Sequence, residues 1–384
     1  MNKVFLIFRK EILEAVRDSR TFFVCVITPF FLYPILFMVM GYIIQTEKIK
    51  EEKLIYKIGI INQSFIPDLL PYIESGQKIK IITGEKPVSM LTEKKVDVVL
   101  EVKEGNKIVL LYNGVNKESQ NALKRIEKTL SAYKDSIVKT SIIKYGLSED
   151  ILNPIIVEKE NIAPAKRMGG FILGALIPYL LIIISFEGAM RTAFDITAGE
   201  KERKTIETLL VTNVKRGEIV FGKCLASFAL ALIAAAAGLL GLLITLQSGF
   251  SVFATIEKFS AAIPWLSCLI ILLTMLPLLW FFSSVLVAIG SASRSIKQAT
   301  TYGSYCLIAV IMLAVLSLLR ITSPETTTFF IPVLNTAILQ QQVLIGEVTA
   351  LNFLITIGSS IFYAIIAFLF AMNNFEREEV LLRS

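Results

Sequence analysis

The sequence predicts a mainly α, polytopic membrane protein: six transmembrane helices, with an α/β extracytoplasmic domain inserted between the first and second spans. Three observations carry that prediction. Of 384 residues, 54% are hydrophobic and 18% are charged, with a mean hydropathy of +0.66; soluble chains run at about 45–50% apolar and about 25% charged. The excess is gathered into uncharged runs at 22–44, 168–186, 224–255, 261–293, 298–319 and 349–374, and a helix needs about 20 apolar residues to cross the hydrocarbon core. Between the first two runs the pattern changes, and short β-branched stretches separated by turn residues fill 45–166.

Residues 1–21 come first. Phe5, Phe8, Ile12, Leu13 and Val16 share one helical face, opposed by Arg9, Lys10, Glu14 and Arg17. That pattern suits an amphipathic helix lying in the cytoplasmic interface; a plain extension of the first span, 22–44, fits the same residues. The first span is too long for a signal-peptide core and lacks a small-residue cleavage site. Cys25, Cys224, Cys268 and Cys306 lie in or at the mouths of apolar runs, where cysteine behaves as a small hydrophobe. The chain has no histidine, which excludes Ser-His triads and histidine-ligated zinc.

Loop charge sets the orientation. Lys3, Arg9, Lys10, Arg17 and Arg20 precede the first span; Arg191, Lys201, Arg203, Lys204, Lys215, Arg216 and Lys223 fall between the second and third; Arg294 and Lys297 join the fourth and fifth. The loop after the third span offers Lys258 alone. This alternation puts both termini and the basic loops in the cytoplasm and 45–166 outside. The net charge of +7 is then a topology signal rather than a nucleic-acid footprint, and membrane lipid is its natural partner.

Within 45–166, "YKIGIIN", "KIKIIT", "KVDVVLEV" and "NKIVLLYN" read as strands, and apolar residues at helical spacing predict a long helix over 116–145. Asp97 and Glu101 share a strand face but stand too far apart for a catalytic dyad. The domain reads as accessory, shaping an exit, meeting a partner or packing a dimer. The remainder, 167–374, is the transmembrane domain with spans two to six, followed by a cytoplasmic tail at 375–384.

"GEIVFGK", 217–223, has the spacing of a phosphate-binding loop. That loop needs a strand before it and Ser or Thr after its lysine; here a polar linker precedes it, Cys224 follows, and an apolar span comes next. Gly222 and Lys223 read instead as the entry of the third span, with the Lys223 ammonium snorkelling to the headgroups.

The connector at 191–223 contains "GEKERKTIETLL" and ends on "GK". It resembles the cytoplasmic loop of type-2 ABC exporter permeases, with Glu200, Arg203, Thr205, Glu207, Leu209, Leu210, Gly222 and Lys223 at the matching positions. Lys204 stands where glycine is usual, and Asn213 where proline is common. The resemblance extends over the chain in outline, closest to permeases of sodium-exporting two-component systems. It implies a non-catalytic membrane subunit of a bacterial cell-membrane exporter, working as a homodimer with two copies of a separate cytoplasmic ATPase. ATP and Mg²⁺ would be bound on that partner and no cofactor by this chain; cargo would be Na⁺, with its ligands unknown. The connector would be a coupling helix, its charges a solvated face and Ile206, Leu209, Leu210 and Val211 its apolar edge. A peptide, drug or other organic cargo fits the same architecture, and a membrane sensor is the reading from another class.

Polar groups within spans mark candidate path residues. Glu187 and Arg191 are one turn apart, which suits either a path or a structural ion pair. The segment 324–348 is too polar and Pro-broken to cross alone, and reads as re-entrant or as a surface loop. As a re-entrant pair it would bring Asn335, Gln340 and Gln341 to the exit.

Overall fold

The computed structural model describes residues 3–61, 69–75, 78–82, 87–103, 107–145, 165–210, 212–247, 265–318 and 324–376. The chain is mostly helical. Among the described residues, six helices are long and apolar enough to cross a membrane: Ser19–Glu51, Leu176–Glu202, Arg216–Gln247, Trp265–Ala292, Ile296–Leu318 and Ala350–Phe375. The chain separates into two units, Ile44–Asn161 and the remainder.

The larger unit begins with α1 (Lys3–Arg17), joined by Asp18 to the first long helix, α2, built of Ser19–Phe22, a π turn at Phe23–Ile27 and Thr28–Lys53, whose residues from Ile44 on belong to the smaller unit. Asp18 caps that start, its carboxylate accepting from the Thr21 amide at 3.0 Å and the Thr21 hydroxyl at 2.6 Å. The second, third and fourth spans form the interior. Their most apolar stretches are 61, 61 and 56% buried, against 22% for the first, fifth and sixth. The core runs through Leu181, Phe186, Ala231, Ala235, Met275, Leu279 and Phe282. Small residues on the third span let its neighbours approach, the packing that serves where lipid supplies no hydrophobic drive.

The smaller unit is a four-stranded sheet in the order β2-β1-β3-β4, from β1 (Tyr56–Ile61), β2 (Ile79–Ile82), β3 (Val98–Lys103) and β4 (Lys107–Tyr112). β1 pairs parallel with β2 and β3, and β3 pairs antiparallel with β4. Parallel pairs need crossovers; the short helices α3 (Leu69–Ser75) and α4 (Pro87–Thr92) lie on them. A 28-residue helix, α5 (Lys117–Lys144), is capped by the Asn116 side chain, which accepts from the Glu118 amide. Ala122 and Ile126 of α5 close the core over Ile58, Val98 and Leu100.

After the second span, α6 (Ala165–Phe194), come a π turn at Asp195–Gly199, one turn at Glu200–Glu202 and α7 (Thr205–Leu210). The third, fourth and fifth spans are α8 (Arg216–Gln247), α9 (Trp265–Ala292) and α10 (Ile296–Leu318). The segment before the last span folds as two short helices, a 3₁₀ turn at Thr326–Phe330 and α11 (Leu334–Ile345), with Val333 at φ 72 between them. The sixth span is α12 (Ala350–Glu376). The tail beyond 376, and the side chains of Leu209 and Leu210, lie outside the described residues.

Candidate functional site

Gly222 and Lys223 lie inside α8, nearly two turns from its start, so no phosphate loop exists there. Gly222 has a packing reason. A Cβ at this position would stand 2.8 Å from Ile7 Cγ2 and 3.3 Å from the Val4 carbonyl, so the missing side chain is what lets α1 cross α8. That crossing places Glu11, one turn beyond Ile7, against Lys223.

The expectation that Lys223 snorkels is corrected. Its side chain is 0% exposed, and its three donors are all used. Nζ lies 2.6 Å from Glu200 Oε2 and 3.3 Å from Glu11 Oε1, and donates to the Ile196 carbonyl released by the π turn. Glu200 turns its other oxygen to Lys10 at 2.7 Å. Glu200, read from sequence as part of a solvated face, is 5% exposed and Glu11 is 1% exposed. Two carboxylates and two ammoniums thus form a balanced, mostly buried cluster. Burying an ion is tolerated only with such pairing.

Burial pushes the Glu11 carboxyl above its ordinary value, with Lys223 opposing the rise. For Lys10, half-burial opposes the charge, but its hydrogen bond to Glu200 and the charges of Glu11, Glu200 and Glu14 outweigh it and hold the ammonium on. The cluster joins the N-terminal helix, the beginning of the connector and the third span. Lys201 adds a fourth attachment, donating to the Ser291 and Ser293 carbonyls at the end of α9, and the Glu202 carboxylate accepts from the Ile296 amide at 3.2 Å.

The rest of the connector is arranged differently. Arg203, Thr205 and Glu207 are exposed, whereas Ile206 is 4% exposed and faces the core. Arg203 reaches back to Asp195 at 2.6 Å. Lys204, where the resembling permeases carry glycine, sits at φ 57, in the left-handed region that glycine occupies without strain. The connector therefore has an anchored half through Glu200 and Lys201 and a presented half through Arg203–Glu207.

Glu187 and Arg191 line a cavity of about 750 Å³ together with Asp18, Arg20, Asp195 and Arg203. Among the described residues they make no ion pair with each other, so the structural-pair alternative does not hold. Asn335, Gln340 and Gln341 are brought together on α11, but in the interior, at 0, 0 and 1% exposed. Asn335 Nδ2 donates to Ser359 Oγ at 3.0 Å and to Ser360 Oγ at 2.9 Å, and Gln341 Nε2 to Ser317 Oγ at 2.9 Å. Both amide atoms of Gln340, and Gln341 Oε1, have no hydrogen-bond partner among the described residues. Buried amides left so are rare and costly.

Sequence reasoning missed Glu11 and gave Lys10 no partner. A signal existed: Glu11 falls on the same helical face as Val4, Ile7 and Phe8, where an acid needs a partner.

Six membrane-length helices among the described residues, a charged connector tied into the bundle and two short helices before the last span define a multi-pass membrane protein. The chain belongs to the ABC-2 family of transporter proteins, whose model matches residues 5–380, and membership implies an ATPase subunit as partner. A curated relative, the ABC transporter permease protein NatB of Bacillus subtilis (strain 168), is 27% identical over 395 residues, covering 97% of this chain and 98% of the relative. No solved structure matches the chain.

Proposed function

We propose that this permease couples a separate cytoplasmic ATPase to extrusion of Na⁺, with the connector as the coupling element and both termini in the cytoplasm. The observation that carries the coupling is the cluster of Lys10, Glu11, Glu200 and Lys223. A push on exposed Arg203, Thr205 or Glu207 is delivered to Glu200, and through it to α1 and the third span at once. A linkage centred on the buried, hydrogen-bonded pair of Glu200 and Lys223 resists sliding. The loop charges at the helix ends favour the cytoplasmic side, and the smaller unit is then extracytoplasmic. The resemblance of the connector and outline to sodium-exporting permeases supports Na⁺ as cargo, and the 27% identical relative is an ABC transporter permease. Unpaired Glu187, facing the charged cavity, suits a cation on its way in.

ATP-driven flux of radiolabelled Na⁺ in vesicles holding this chain and its ATPase tests the reading. Accumulation that depends on ATP supports it, and intact ATP hydrolysis without Na⁺ movement overturns the cargo. One observation favours an organic cargo as the second reading: the cavity of about 750 Å³ falls in the range of small-molecule sites. Two copies of the permease around a shared path complete the proposal, and cross-linking in native membranes reports on that dimer.

A further inference from the structure

A second cavity, of about 600 Å³, is lined within the unit Ile44–Asn161 by Lys78, Lys124, Arg125 and Lys128 against one carboxylate, Glu51. The acid is already held: Asn121 Nδ2 donates to Glu51 Oε1 at 2.9 Å. Lys78, Lys124 and Lys128 make no ion pair among the described residues. Acid is not scarce in this unit. Lys95, Lys103 and Lys117 find Glu93, Glu101 and Glu47 at 2.6, 3.6 and 2.7 Å. Lys124 and Lys128 stand one turn apart on α5 with Arg125 between them, an arrangement of like charges that opposes the helix.

The cavity also has a polar floor. Tyr56 lines it at 7% exposure, and its hydroxyl has no hydrogen-bond partner among the described residues. Burial raises this phenol above its ordinary value, so it remains a neutral O–H donor. Three lysines without an ion pair, converging beside Arg125 and a neutral phenol donor, suit one further component, an anion with several acceptor oxygens. A phosphate group offers acceptors in several directions, which lysine point charges and an arginine fork engage together.

We propose that this cavity binds a multiply charged, phosphate-bearing anion, either free in solution or carried on a lipid headgroup. This goes beyond the transport reading and does not depend on it. The full chain in phosphatidylcholine nanodiscs, titrated calorimetrically with inorganic pyrophosphate, is the test. Wild type binds, and Lys124→Gln with Lys128→Gln weakens binding by about tenfold or more. Lys134→Gln with Lys144→Gln, on the same helix outside the cavity, leaves it unchanged. Lys78→Gln is the gentler variant should the pair on α5 disturb folding, and it too weakens binding. Absence of binding by wild type at millimolar pyrophosphate overturns the proposal, as does equal weakening by the two α5 pairs. In discs containing phosphatidylglycerol, competition with pyrophosphate identifies the headgroup as the source, and undiminished binding identifies a free anion.

Discussion

Lys223 Nζ and Glu200 Oε2 meet at 2.6 Å with side-chain exposures of 0 and 7%. The end of the second span is thereby locked to the start of the third, and Lys10 extends the lock to the N-terminal helix at 2.7 Å. Removing one partner of a buried pair strands the other charge and costs about 3–5 kcal/mol. Glu200→Gln leaves both ammoniums short of their shared carboxylate and is expected to destabilise the bundle by that amount, read as a fall in the thermal midpoint in detergent. Glu207→Lys changes an exposed group and is expected to alter stability by no more than about 0.5 kcal/mol. Loss of ATPase co-purification in Glu207→Lys therefore reports docking itself, which the Glu200 variant does not. Retained co-purification and coupling in Glu207→Lys would count against a docking role for that face.

The pH dependence of the cluster follows from Glu11. Its carboxyl is raised above 4.5 by burial, so between 4.5 and its elevated value the folded state binds the proton that the unfolded state has released. Its contribution to stability is fully present below the unfolded pKa and is lost as pH rises through the folded one. Glu11→Gln cannot titrate and keeps the neutral form throughout. Wild-type stability relative to Glu11→Gln should therefore fall as pH is raised from about 4.5 towards neutrality. A difference that grows in favour of wild type over that range would show that the ion pair with Lys223 dominates instead.

Much of this arrangement was readable from the chain, and the exceptions share a cause. The six apolar runs announce the spans, and short β-branched runs bounded by turn residues announce β1 to β4, because each signal is local. Helices α3 and α4, of seven and six residues, are too short for a 3.6-residue period to register. The burial of Glu200 and Lys223 was hidden because Glu11 lies 212 residues from Lys223 in sequence. A charged residue is read as solvated until its partner is known.

Lys204 supplies a prediction whose sign depends on the substituent. At φ 57 a residue with a Cβ is strained by about 1–2 kcal/mol, and glycine is not. Glycine loses more backbone freedom on folding, an offset of about 0.4–1 kcal/mol. Lys204→Gly should therefore be stabilising by about 0.5 kcal/mol. Lys204→Val brings a β-branched side chain to the same angle and should destabilise by about 1 kcal/mol or more. Chemical denaturation of the two variants in detergent checks both signs. Destabilisation by glycine would mean that the lysine side chain has a contact worth more than its strain.

Gln340 separates stability from activity. Both of its amide atoms are buried without a partner, and replacing an unsatisfied polar group by an apolar one of similar shape is neutral or stabilising, by up to about 1–3 kcal/mol. Gln340→Leu is therefore expected to fold at least as well as wild type. If the amide faces the transport path, the same variant should lose ATP-driven flux while ATP hydrolysis continues. Stored instability of this kind is characteristic of functional positions. Gln341→Leu provides the contrast: it breaks the 2.9 Å bond to Ser317 and should lower stability. Should Gln340→Leu be less stable than wild type, the amide must have a partner in the membrane, such as bound water. Should it be stable and fully active, Gln340 lies off the path and α11 serves only to pack the bundle.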